Sequence, residues 1–113
     1  MKIAIPADEK KIDSTVCQSF GRTPYFLIYD TDKESADFID NSAASSQGGA
    51  GIKAAQYIVD SKVSAILTPR CGQNAAEVLT AAGILIYKTE SSSIKESIAA
   101  FKEKRLEQLQ EIH

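Results

Sequence analysis

Two thiols and two guanidinium groups carry most of the chemistry available to this chain. Cys17 stands in "STVCQS" and Cys71 in "TPRCGQNAAEVL", with Arg22 and Arg70 close to them in sequence. A cysteine thiolate is a soft ligand, suited to transition metals and sulfur-bridged clusters. Arginine adds a permanent, fork-shaped cation that offsets the negative charge of such a group. A third feature is the small-residue run "NSAASSQGGAG", residues 41–51, which contains Gly48, Gly49 and Gly51. Glycines ahead of a helix leave its first N–H donors without a side-chain cap, and such donors hold anions. Gly72, directly after Cys71, lets the chain turn sharply.

Composition excludes several classes. The 113 residues carry a net charge of −2, with 43% hydrophobic and 25% charged residues, as in a globular domain with one core. No Lys/Arg block gives the footprint of a nucleic-acid binder. No apolar run approaches the ~18 residues of a membrane span. The start, "MKIAIPADEKK", reaches charge too early for a signal peptide. Two cysteines in a chain of this size predict reduced thiols and a cytoplasmic setting. No linker or repeat divides the sequence, so residues 1–113 are read as one domain.

The elements that must position these groups follow from hydrophobic spacing. Lys2–Pro6 reads as a strand, residues 7–19 as a polar loop, and "PYFLIYD", 24–30, as a strand buried on both faces. "TDKES" is a turn and "SADFID" a third strand, at an edge. The loop 41–51 leads to a helix marked by Ile52, Ala55, Ile58 and Val59. "SAILT", 64–68, is the fourth strand. Ala75, Ala76, Val78, Leu79 and Ala82 mark a second helix, with Asn74 and Glu77 spaced as a capping box and Gly83 as a C-cap. "ILIY", 84–87, is the fifth strand. Ser93 and Glu96 offer a second capping box, before a helix lined by Ile94, Ile98, Phe101, Leu106 and Leu109. The last turns, "RLEQLQEIH", are expected to fray.

The order is β-β-β-α-β-α-β-α. Short links make the first three strands an antiparallel meander. Helical crossovers make the later strands parallel and right-handed. The simplest α/β sheet has order 3-2-1-4-5 with strand 2 reversed, which is the ribonuclease H-like arrangement. In that topology the exits of strands 1, 3 and 4 and the entry to strand 2 share one end of the sheet. Cys17, Arg22, the Gly48–Gly51 run, Arg70, Cys71 and Gly72 are therefore expected to converge there, where open α/β sheets bind ligands. A helix start beside Cys71 is expected to lower its pKa and make it the more reactive thiol.

The chain resembles the dinitrogenase iron–molybdenum cofactor biosynthesis family of small NifX-like and NafY-like carriers. The likeness covers about residues 1–103 and rests on "MKIAIPADE", "SFGRTPYFLIYD", "GGAGIKAAQYIVD" and "RCGQNAAEVLTAAGILIY". It implies the ribonuclease H-like fold and a non-catalytic carrier of an iron–molybdenum or other metal–sulfur cluster. It implies partners among cluster-assembly and acceptor proteins; the chain itself is expected to be a monomer or weak homodimer. Relatives often have histidines just before the "GAG" turn; here Ser45, Ser46 and Gln47 stand there, and His113 is the one histidine. With imidazole ligation thus disfavoured, Cys17 and Cys71 are the expected metal ligands. Two thiolates do not complete a tetrahedral site, whereas a cluster bringing its own sulfides needs fewer protein donors.

Other readings find less support. A ribonuclease H-type nuclease needs carboxylates gathered around metal ions, and strand 1 carries none in its middle. Gly49, Gly51 and Ala54 match a dinucleotide fingerprint but do not follow the first strand. Cys17 and Cys71 lack C-x-x-C spacing for a redox dithiol. The alternative that remains is a small-anion or phosphate module using the helix N-termini.

Overall fold

The computed structural model describes residues 1–109. Its strands are β1 (Lys2–Ala7), β2 (Tyr25–Asp30), β3 (Ser35–Asp40), β4 (Ala65–Thr68) and β5 (Leu85–Lys88). Its helices are α1 (Ala50–Asp60), α2 (Gln73–Ala81) and α3 (Ile94–Lys102), with one 3-10 turn at Ser42–Ser45. The sheet order is β3-β2-β1-β4-β5. β2 is antiparallel to β1 and to β3, while β4 is parallel to β1 and to β5. The central place of β1, the reversed β2 and the edge position of β3 are as the sequence predicts.

Alternation along the strands divides the core. Ala4, Phe26, Ile66 and Ile86 face α1 and α2, packing with Ala54, Ile58 and Leu79. Ile3, Ile5, Leu27, Ala65 and Leu67 face α3, packing with Ile94 and Ile98. Two-residue periodicity thus feeds both outer layers, which is why the middle strands read as nearly continuous apolar runs.

Helix ends depart from expectation at three places. α1 begins at Ala50, so Gly51 lies in its first turn, and its N-cap is Gly49 at φ 68° with no side-chain cap. α2 begins at Gln73 with Gly72 as N-cap, also without a side-chain cap. Asn74 is therefore inside the helix and the Asn74–Glu77 capping box does not form. The extended Gly72 (ψ 156°) ends the turn two residues earlier. At α3 the Ser93 side chain does accept from Glu96 N–H, but the Glu96 carboxylate reaches Ser91 Oγ rather than Ser93 N–H. Ser91 Oγ completes the circuit by accepting from Ser93 N–H at 3.0 Å. Gly83, at φ 79°, follows α2 as expected.

The third helix is shorter than its apolar spacing suggests. α3 ends at Lys102, and Lys104 enters the left-handed region at φ 60°. Residues 105–109 then run antiparallel to β5, with Lys88 N–H donating to Glu107 O at 2.8 Å and Leu109 N–H to Ile86 O at 2.9 Å. Leu106 and Leu109 do not share a helix face: Leu106 packs on the α3 side and Leu109 on the α1/α2 side. The unpaired edge of β5 satisfies the backbone here, and tertiary pairing overrides helix propensity. The remainder of the expected fraying segment, with His113, lies outside the described residues.

Candidate functional site

The exit of β4 is built by local bonds. Thr68 is fully buried, and its hydroxyl donates to Arg70 O at 2.8 Å, which folds the chain over just past Pro69. Arg70 is left exposed, Cys71 turns inward, and Gly72 opens α2. From the other side comes the segment after the polar loop. Val16 pairs with Ala7, and Cys17 N–H donates to Pro6 O at 2.9 Å, so this segment returns to the end of β1. Phe20 follows and packs on Phe26, ring centroids 5.3 Å apart. Between the two segments lies an open cleft of about 300 Å³, lined by Gln18, Ser19, Phe20, Arg70, Cys71 and Gly72.

Of the residues expected to converge, Arg70, Cys71 and Gly72 line this cleft. Cys17 is half-buried and adjoins it in the chain without being among its walls. Arg22 lies at the same end of the sheet but is turned to another task. Its Nη1 donates to Ala44 O at 3.0 Å and to Ser46 O at 2.9 Å, clamping the 3-10 turn. Gly48 and Gly49 are exposed and line no part of the cleft. Gly51 sits below, where its backbone meets Gly21, so that a Cβ on Gly21 would fall 2.8 Å from Gly51 N.

Cys71 corrects the expectation of a reactive thiol. It is 1% exposed and belongs to the core with Phe20, Ala54 and Ala75. Burial pushes its pKa from an ordinary value near 9 up to about 11. The adjacent helix start does favour the thiolate, but removing the sulfur from water disfavours it more. At neutral pH Cys71 is therefore a protonated thiol at the floor of the cleft.

Two positioning residues carried no weight in the sequence reading. Asn41, 5% exposed, donates from Nδ2 to Gly21 O at 3.0 Å and to Thr23 O at 2.8 Å, and its Oδ1 accepts from Ala43 N–H. Gly21 permits the close backbone approach just described. Together with Arg22 they join the 19–24 turn to the 41–46 turn. The signal available for Asn41 was its type at the head of a small-residue run, since asparagine bonds to backbone two residues on.

The donor set has a clear character. Among the described residues no three His, Cys, Asp or Glu side chains lie together so as to hold a bare metal ion. What the cleft offers is an exposed guanidinium, a neutral thiol, the Ser19 hydroxyl and the uncapped N-terminus of α2. That set suits an anionic group whose metals already carry their ligands, and it does not suit an aquo ion.

Comparison with known proteins bears on this chemistry. The family model described as "Dinitrogenase iron-molybdenum cofactor" matches residues 1–104. An uncharacterized protein of Methanocaldococcus jannaschii is 32% identical, with 97% of this chain and 92% of that protein covered. Among solved structures, the apo form of the orange protein from Desulfovibrio gigas superposes with TM-score 0.92 at 29% identity, covering 96% of this chain and 92% of that one. A Thermotoga protein provisionally named NifB superposes with TM-score 0.85 at 37% identity, covering 99% and 96%.

Proposed function

Since the chain belongs to the dinitrogenase iron-molybdenum cofactor family, we propose that it binds and carries an iron–molybdenum or other metal–sulfur cluster, or a precursor of one, and catalyses no reaction. The observation that carries this reading is the cleft at the β4 exit. It joins an exposed arginine to a helix start whose donors have no side-chain cap. A sulfide-rich cluster is anionic, so Arg70 and the α2 N-terminus attract it, while its own sulfides complete its metals' coordination. The orange protein neighbour is described as an apo form, which supports a fold made to take cargo. Cargo that leaves again is better served by charge and backbone donors than by a full set of protein ligands.

The thiols take second place in this scheme. Cys71 is buried and protonated, so its coordination to cargo requires the Gln18–Phe20 segment to lift and a proton to leave. Cys17 is the more accessible sulfur. Arg22, Gly48, Gly49 and Gly51 act by shaping the neighbouring turn. Donor and acceptor are proteins of cluster assembly or its targets, meeting this open edge of the sheet. A simpler anion module is the second reading, favoured by the uncapped starts of both α1 and α2.

Anaerobic mixing with a synthetic molybdenum–iron–sulfur cluster, then gel filtration and elemental analysis, tests the proposal. Retained metal and sulfide are expected, with a several-fold loss in Arg70→Glu at unchanged melting temperature. No retention by the wild type would refute it. Calorimetric binding of inorganic phosphate without cluster retention would establish the second reading instead.

A further inference from the structure

The strand-like tail, residues 105–109, stands apart from the domain it completes. The family match ends at residue 104, and Lys104 is the left-handed residue at which the chain leaves α3. The turn is closed by Lys104 N–H to Phe101 O at 3.0 Å and Arg105 N–H to Ala100 O at 2.8 Å. This is a helix-ending turn that favours glycine, and a lysine there is held in a strained conformation. The residues around it, "KEKRLEQL", are nearly all good helix formers. Local preference therefore pulls the hinge toward a straight, longer α3, and the pairing with β5 pulls against it.

That pairing is slender. Two backbone hydrogen bonds, which together make the Tyr87–Gln108 bridge, hold the tail to β5. Leu106 and Leu109 supply its apolar contacts, one on each face of the sheet. Among the described residues, no side-chain hydrogen bond or ion pair joins 106–109 to the rest of the chain; the Arg105–Glu103 pair is local to the hinge. Open clefts adjoin the tail at three places among the described residues. One of about 450 Å³ lies against Gln108 and Leu109, one of about 610 Å³ against Lys104 and Leu106, and one of about 350 Å³ against Arg105 and Leu106. Close packing locks an element in place, and here it rests on two half-buried leucines alone.

We propose that the outer edge of β5 is a strand-acceptor site, and that its exchange partner is residues 105–109 of a second copy of this chain. Straightening at Lys104 carries the tail away from its own β5. The same backbone bonds and the same two leucine contacts then re-form on the β5 of the other molecule, reciprocally. The occupant is fixed by what already fits the edge: an extended segment, antiparallel to β5, with leucines three apart. All tail contacts are common to both forms, so relief of two hinges is set against the entropy of association. The result is a weak dimer joined along the outer edges of the two β5 strands.

The test uses the full chain. Sedimentation across concentrations up to about 1 mM measures the monomer–dimer balance. Isotope-filtered NMR on a refolded equal mixture of ¹⁵N- and ¹³C-labelled chains then reads whether contacts between Gln108 and Tyr87 are intermolecular. Intermolecular contacts that scale with the dimer fraction are expected. Lys104→Gly, which relaxes the hinge in the monomer, is expected to raise the dimer dissociation constant by about thirtyfold or more, because glycine removes the left-handed penalty at both hinges. A chain that stays monomeric at 1 mM overturns the proposal. So does a dimer whose Gln108–Tyr87 contacts are all intramolecular, or one that Lys104→Gly leaves unchanged.

Discussion

Replacing Gly21 with alanine tests the contact that seats the Phe20–Arg22 turn on α1. A Cβ at this position falls 2.8 Å from Gly51 N, 2.9 Å from Gly51 Cα and 3.2 Å from Ala50 C. All three atoms are backbone in or at the first turn of α1, so no rotamer change relieves the overlap. The turn and the helix must separate by several tenths of an ångström, over a core that includes Phe20 and Cys71. Overpacking of a tight interior typically costs about 1–3 kcal/mol. With rigid backbone on both sides, a value of about 2–3 kcal/mol is expected for Gly21→Ala. Two neighbours calibrate it. Gly49 has φ +68° and open space around its Cβ position, so Gly49→Ala should pay left-handed strain alone, about 1–2 kcal/mol. Gly48 has open space and no left-handed backbone, so Gly48→Ala should stay within about 0.5 kcal/mol of wild type. Urea unfolding, with slopes compared to confirm a common unfolded state, gives the order directly. Gly21→Ala should also melt roughly 10 °C lower. If Gly21→Ala proves as stable as Gly48→Ala, the close approach at Gly51 does not exist as described.

Asn41→Ala should destabilise by about 2–3 kcal/mol, because two carbonyls lose their donor in a buried setting; a change below about 0.5 kcal/mol in urea unfolding would count against the Asn41 pin. Cys71 should alkylate far more slowly than Cys17 near pH 8, measured on Cys17→Ala and Cys71→Ala chains; equal rates would contradict its burial. The same thiol gives a pH signature. Its folded pKa, about 11, lies above the ordinary value near 9, so the folded state holds the proton longer than the unfolded one. Stability should therefore fall as pH rises from about 9 to 11, more steeply in wild type than in Cys71→Ala, and parallel profiles would sink the assignment. Arg22→Ala should speed amide exchange across residues 42–47 by releasing Ala44 O and Ser46 O; unchanged protection there would show that the clamp is idle.

The order of elements, the central β1 and the place of Arg70, Cys71 and Gly72 at the exit of β4 were legible in the sequence, whereas the expected convergence of Cys17, Arg22 and Gly48–Gly51 with them does not form the cleft. Those features follow from apolar spacing and from connection rules, which act over short stretches or over whole strands. The burial of Cys71 was not legible. A thiol at a helix start reads as activated, and what reverses this is contact with Phe20 and Ala54, distant in sequence, whose desolvation outweighs the helix field. Arg22 reads as a free cation for the same reason: nothing local announces that Ala44 O and Ser46 O will claim it. The capping box at Asn74 failed because the extended backbone at Gly72 set the helix start before any side chain could. The tail shows the limit most directly. Leu106 and Leu109 are three apart, a spacing that suits one helix face and equally the two opposite faces of an extended strand. Only the unpaired edge of β5, assembled from strands far along the chain, selects between them.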